Sequence, residues 1–161
     1  MVKQFQYDVM KICLLAGKIL LKNGAETYRV EDTMLRIAAA FGITKCDSFV
    51  IPTGIIFSIE TEKDDHTKLV RVSHRTTDLL KVTQVNRVSR EITEGKLSTN
   101  AAYELLQEIE AAPIGFSLKM QLLAASLASA CFVIMFNGSW IDFLPALLTG
   151  GLGFLSFLAI N

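Results

Sequence analysis

An α+β unit of order α-α-β-β-β-α-α, followed by two transmembrane helices, is the architecture that this 161-residue sequence predicts. Three observations carry the prediction. After Lys119 the only charged side chain is Asp142, so all the others among the 16 basic and 16 acidic residues lie in the first 119. The uncharged tail divides into two apolar runs, 120–136 and 141–160, of 17 and 20 residues. At ~1.5 Å rise per residue the longer run matches a bilayer core of ~30 Å, and the shorter one reaches it once Leu118 and interfacial residues are added. Upstream, the apolar spacing changes from helical to strand-like and back again.

The elements follow in order. Val9, Ile12, Cys13, Ala16 and Leu20 are spaced i, i+3, i+4, i+7, i+11, which predicts a first amphipathic helix. Asn23-Gly24 ends it, because glycine tolerates the left-handed conformation of a helix terminus. Val30, Met34, Ile37, Ala38 and Phe41 form the stripe of a second helix that stops at Gly42, and the short link at Gly24 makes the two an antiparallel hairpin. Residues 48–51, 55–60 and 69–73 are rich in β-branched and aromatic side chains. With Pro52-Thr53-Gly54 and the polar stretch 62–67 between them, they predict a three-stranded antiparallel meander. Residues 79–94 return to helix, with Val85, Val88 and Ile92 inward and Gly95 as terminator. Ser98 is placed to cap a fourth helix whose apolar face is Ala102, Leu105, Leu106 and Ile109.

This order divides the chain into a soluble domain, 1–117, and a membrane segment, 118–161, with spans at about 118–136 and 141–160. Residues 111–115 form the linker. Residues 2–21 are interrupted by Lys3, Asp8, Lys11 and Lys18, so they are not a signal peptide. Lys119 precedes the first span and the loop 137–140 carries no Lys or Arg. The positive-inside rule therefore predicts a cytoplasmic N-terminal domain on a multi-pass protein of the plasma (inner) membrane, with Trp140 in an outer aromatic belt. Cys13, Cys46 and Cys131 are widely spaced and suggest neither a disulfide framework nor a zinc site.

The densest polar cluster is 23–32, Asn-Gly-Ala-Glu-Thr-Tyr-Arg-Val-Glu-Asp. On a helical wheel of about 100° per residue, Asp32 and Arg36 fall opposite the apolar stripe as a solvated i, i+4 pair. Glu26, Thr27 and Thr33 lean toward the stripe, and Arg29 and Glu31 flank it. A carboxylate on that side is costly unless it is paired or caps something. Two readings follow. In one, Glu26 sits in the first turn of the second helix, bonded to backbone N–H groups. In the other, Glu26, Thr27 and Arg29 face a polar cavity or the membrane part and help to bind a zwitterionic or anionic solute. Asp142 has the same two sides: an interfacial cap at the start of the second span, or an intramembrane solute or proton site.

The run 16–31, Ala-Gly-Lys-Ile-Leu-Leu-Lys-Asn-Gly-Ala-Glu-Thr-Tyr-Arg-Val-Glu, resembles the signature of the threonine/serine exporter family. That signature pairs a Gly in helix one with a Gly-Ala-Glu-(Thr/Ser) turn and a Val-Glu in helix two. Phe41-Gly42-Ile43, the segment 74–79 leading to Val82, Cys131-Phe132, and Asn137-Gly138-Ser139-Trp140 followed by an Asp match as well. The resemblance covers essentially the whole chain. It implies a cytoplasmic N-terminal domain on a secondary transporter that exports small polar metabolites, threonine and serine or a dicarboxylate such as succinate, driven by the proton motive force. Candidate substrate-binding or coupling residues are Glu26, Thr27, Arg29, Glu31 and Asp142. Members carry more spans than two, so the sequence reads as a truncated part. Its implied partners are the solute, the lipid bilayer, and further transmembrane helices of the same chain or of a partner membrane subunit, in a homo- or hetero-oligomer.

Other classes fit less well. A membrane-anchored regulatory or docking module is the main alternative, and a membrane-tethered hydrolase the weaker one. No G-x-S-x-G elbow, phosphate-binding Gly loop or metal-ligand spacing stands out, so no enzyme, cofactor or metal is expected. His66 and His74 read as solvated loop residues. Basic and acidic residues interleave, which predicts no nucleic-acid patch. In the spans, Ala124/Ala128, Ala125/Ser129, Ser126/Ala130, Ala146/Gly150 and Thr149/Gly153 are small-x-x-x-small pairs, a mark of close helix approach in lipid.

Overall fold

The computed structural model describes residues 2–60, 65–113 and 116–160. Among them the helices are α1 (Val2–Lys22), α2 (Thr27–Ala40), α3 (Leu79–Thr93), α4 (Thr99–Ala111), α5 (Leu118–Met135) and α6 (Phe143–Ile160). The strands β1 (Cys46–Ile51), β2 (Gly54–Ile59) and β3 (His66–Arg71) lie between α2 and α3, and a 3-10 turn, Trp140–Asp142, precedes α6. Two compact units result, Met1–Pro113 and Ile114–Asn161.

In the first unit α1 is the central element, and its predicted stripe of Val9, Ile12, Cys13, Ala16 and Leu20 is fully buried. Gly17 sets the depth of packing. A Cβ there would overlap Met34 Sδ and stand 3.2 Å from Ile55 Cδ1, so its bare backbone lets α2 and the sheet close onto α1. Cys13 Sγ reaches Met34 O at 3.5 Å. Its burial, with Cys46 nearby, pushes the thiol well above its ordinary pKa, which makes it an inert core group. On α2, Val30, Met34, Ile37 and Ala38 are buried as the spacing predicts. Gly24 and Gly42 end the two helices at φ 95° and 81°. Val85, Val88 and Ile92 of α3 and Ala102 and Leu106 of α4 complete the same core.

The sheet is an antiparallel meander of order β1-β2-β3. Its inner face, with Val50, Ile55, Phe57 and Ile59 buried, packs on the helices. One prediction needs correction here. The third strand runs His66–Arg71, not 69–73, and His66 pairs with Ile59 in place of lying in a loop. β3 is an edge strand in which only Val70 is half-buried, so no apolar alternation announced where it starts. The turn residues 61–64 lie outside the described residues, as do 114–115 of the predicted linker.

In the second unit α5 and α6 form a hairpin. Both are long and apolar enough to cross a bilayer, counting the second from Trp140. Ser126, Ala130 and Gly151 are the buried positions, while Leu123, Leu127, Leu144, Leu148 and Leu152 point outward. A Cβ on Gly150 would overlap Ser129, and one on Gly151 would stand 2.6 Å from Ser126 Oγ. Three of the small-residue pairs, 125/129, 126/130 and 146/150, thus bring the two helices together.

Candidate functional site

The polar cluster is built around the end of α1. Its last turn closes with Ala25 N–H donating to Leu20 O at 3.0 Å and Gly24 N–H to Leu21 O at 3.5 Å, and the buried Asn23 amide donates to Ile19 O at 2.7 Å. The carbonyls of Lys22 and Asn23 have no partner in this turn and that of Leu21 has only the long bond from Gly24, and all three would be costly to leave so. The segment 75–78 meets all three. Arg75 Nε donates to Leu21 O at 3.2 Å, Thr76 N–H to Lys22 O at 2.7 Å and Asp78 N–H to Asn23 O at 3.2 Å. The approach is close at Gly24, where a Cβ would stand 3.4 Å from Thr76 O. Arg75 also brings a positive charge to a helix C-terminus, the end where cations are favoured.

The same segment starts α3. The Asp78 carboxylate is buried and accepts from Leu80 N–H at 3.1 Å and Lys81 N–H at 3.2 Å. Lys81 then reaches across to the end of α4, donating from Nζ to Glu110 O at 3.0 Å and Ala112 O at 2.6 Å. Lys18 of α1 pairs with the Glu110 carboxylate at 2.8 Å. A continuous line of caps therefore runs from the Gly24 turn through 75–78 and α3 to the last residues of α4, just before the junction with the second unit.

The structure sorts the predicted site residues. Glu26 is the N-cap of α2, at φ −72° and ψ 143°, not a first-turn residue. Its backbone carbonyl accepts from Arg29 and Val30 N–H, but its side chain makes no capping bond and is exposed. The wheel pointed Glu26 at the core because it extended helical geometry one residue too far. Thr27 is half-buried and Arg29 exposed. Tyr28 is exposed, and hydrogen bonding to the Glu26 carboxylate, with its charge, holds the phenol above its ordinary pKa. Glu31 does something else: Oε1 accepts from Val50 N–H at 2.8 Å, so the carboxylate occupies a backbone donor of β1. Thr33 is buried and donates to Arg29 O at 2.8 Å. Asp32 and Arg36 form the expected exposed pair at 2.8 Å.

Asp142 is exposed in the 3-10 turn of the second unit. The cap at that terminus is Ser139, whose Oγ accepts from Ile141 N–H at 3.3 Å, so the hydroxyl and not the Asp142 carboxylate performs the capping expected of it. Arg75, Asp78 and Lys81 were not among the predicted site residues. Asp78 directly before an apolar helical run is a legible N-cap signal. The family resemblance of 74–79 takes in Arg75 without giving it a role, and nothing in the sequence marks Lys81, since both serve carbonyls distant along the chain. His66 lines an open hollow of about 250 Å³ with Tyr7, Met10 and Ile59. Among the described residues no group of three His, Cys, Asp or Glu side chains is placed to hold a metal.

An α+β unit and a helical hairpin of membrane-spanning length, in one chain, define the class. The chain belongs to the ThrE family, described as "Putative threonine/serine exporter", whose model matches residues 11–161 and so takes in both units. That family is one of transporters, not of enzymes. The chain is 23% identical over 145 residues to the "Probable threonine/serine exporter" of Mycobacterium tuberculosis, covering 89% of this chain and 27% of that protein. It is 24% identical over 138 residues to the "Probable succinate transporter subunit YjjP" of Klebsiella aerogenes, covering 86% and 53%. With the "Threonine/serine exporter" of Corynebacterium glutamicum it shares 24% over 144 residues, 88% of this chain and 29% of the relative. The chain thus spans between about a quarter and about half of the length of these relatives. No solved structure matches.

Proposed function

We propose that this chain forms the N-terminal soluble unit and first helical hairpin of an exporter of small polar metabolites in the plasma membrane. Threonine, serine and a dicarboxylate such as succinate are the candidate solutes, and the proton motive force is the candidate drive. The observation that carries this reading is the family match across 11–161, which joins the Gly24 turn to both apolar helices in one pattern. The names of relatives supply the solute classes. The soluble unit faces the cytoplasm in this reading, on the strength of Lys119 and the uncharged loop 137–140. Glu26 and Arg29 are the residues of the cluster offered for solute contact or coupling, because their exposed side chains are not consumed in capping α2, whereas Glu31 is held by β1.

The test is efflux from cells carrying and lacking the gene, preloaded in turn with threonine, serine and succinate. Loss of efflux for one class, and its further collapse with a protonophore, is expected; unchanged efflux of all three refutes the reading. Glu26→Gln and Arg29→Gln should abolish export at preserved abundance, with Asp142→Asn leaving most of it. Ser139→Cys should label from outside intact cells and Ser98→Cys only after permeabilisation. The reverse pattern overturns the orientation.

A further inference from the structure

The sheet has a second face that the first unit leaves uncovered. Its register places three rows there: Asp47, Ser58 and Thr67; then Phe49, Ile56 and Leu69; then Ile51, Gly54 and Arg71. The Ser58 and Thr67 hydroxyls meet at 2.9 Å, as same-face neighbours must. Phe49, Ile51, Ile56 and Leu69 are 59%, 44%, 37% and 66% exposed. Together they present on the order of 400 Å² of contiguous apolar surface, in the range where such patches mark interaction sites. The charges sit at opposite corners, Asp47 on β1 and Arg71 on β3, and among the described residues neither joins an ion pair.

That pattern selects an occupant. Rows lie ~6.8 Å apart and strands ~4.8 Å apart, so a second copy of the face can be laid on the first by only a few two-fold rotations. A two-fold along the strands sets Arg71 on Ile51, and one across them sets Asp47 on Ile51. One diagonal sets Asp47 on Asp47 and Arg71 on Arg71. The other diagonal passes through Ile51, Ile56 and Thr67, which then meet themselves. It sets each Asp47 against Arg71 of the second copy and each Phe49 over Gly54, where no side chain stands in the way. Only this arrangement pairs both charges; Ile51 and Ile56 meet their own copies and Leu69 lies over Ser58.

We propose that the outer sheet face is a homotypic contact in which two copies of the chain pack their sheets with strands crossing at about 70°, with Asp47 of each against Arg71 of the other. Two such faces with their polar rims bury about 1,000 Å², the lower bound for a specific interface, so the contact is weak in dilute solution and effective between chains confined to one membrane. Glu31 works to the same end, because its bond to Val50 N–H occupies the β1 edge and disfavours edge-to-edge pairing of sheets.

The test uses the full chain in native membranes, with Cys46→Ser and Cys131→Ser removing the accessible thiols. Ile56→Cys lies on the two-fold and, across sheets stacked ~10 Å apart, should be joined to its copy by a short bismaleimide to give a cross-linked dimer. Asp47→Arg or Arg71→Asp alone should cut that cross-link about tenfold, since like charges then face each other twice. The double variant Asp47→Arg with Arg71→Asp should restore it. Both positions are exposed, and unchanged circular dichroism of each variant shows that folding is retained. Absence of the Ile56→Cys dimer overturns the proposal. So does a cross-link undiminished in the single variants, and so does loss in the singles without rescue in the double, which assigns the face to a different partner.

Discussion

The two units bury opposite kinds of residue. In the first, α1 meets its neighbours through Ile12, Ile19 and Leu20, with Met34 of α2 against Gly17, and beyond Phe5 and Tyr7 near its start its part-exposed side chains are mainly polar. In the second, α5 meets α6 through Ser126, Ser129, Ala130, Gly150 and Gly151, and the leucines face out. In water, burying a large apolar side chain is itself the driving force. In lipid it is not, because the surroundings are as apolar as leucine, and only close backbone approach distinguishes one contact from another. Glycine has the same geometric task in both units, at Gly17 and at Gly151. What surrounds it is reversed.

The contrast breaks most visibly by truncation. Phe57 is fully buried, and Phe57→Ala should cost the first unit about 3–5 kcal/mol in chemical denaturation followed by circular dichroism. Leu148→Ala, equally severe in volume terms for an outward leucine, should leave the hairpin within about 0.5 kcal/mol. A comparable loss at both would show that the second unit is held by leucine burial. Enlargement tests the reverse. Gly151→Leu should separate α5 from α6 and cost about 1–3 kcal/mol, while Gly153→Leu, with open space around the site, should be tolerated. Proximity of the two helices, read from a cysteine cross-link between them, decides this.

A smaller effect is expected along the line of caps. Lys81→Met keeps the stem but removes the bonds to Glu110 O and Ala112 O, and should cost about 1 kcal/mol in this half-buried setting. Faster amide exchange at the end of α4 is the specific sign; uniform exchange across the unit would deny the line its directional role. The smallest effect belongs to Asp32→Asn. Its exposed pair with Arg36 is worth a few tenths of a kcal/mol, so melting should shift little and export not at all.

Some of this was legible from the residues and some was not, for identifiable reasons. Val9, Ile12, Cys13, Ala16 and Leu20 announced the buried face of α1, since helix period and burial are both local. Gly24, Gly42 and Gly95 announced helix ends for the same reason and take positive φ as expected. β3 was misplaced because an edge strand open to solvent needs no alternation. Glu26 was assigned to the wrong side because a cap residue does not share the helical wheel of the helix it starts.

What the sequence by itself determined is everything that depends on a period or on the solvent: the charged and apolar halves, the helices, the meander and the small-residue seam of the hairpin. The tertiary structure alone decided which backbone groups are met by which distant side chain. Glu31 is separated by 19 residues from Val50, Arg75 by 54 from Leu21, and Lys81 by 31 from Ala112. An orphaned carbonyl or N–H accepts any donor or acceptor that folding delivers, so its partner has no sequence spacing to be read from. The outer face of the sheet follows the same logic. Phe49, Ile56 and Leu69 become one patch, and Asp47 and Arg71 its opposite corners, only when the register of three strands is set.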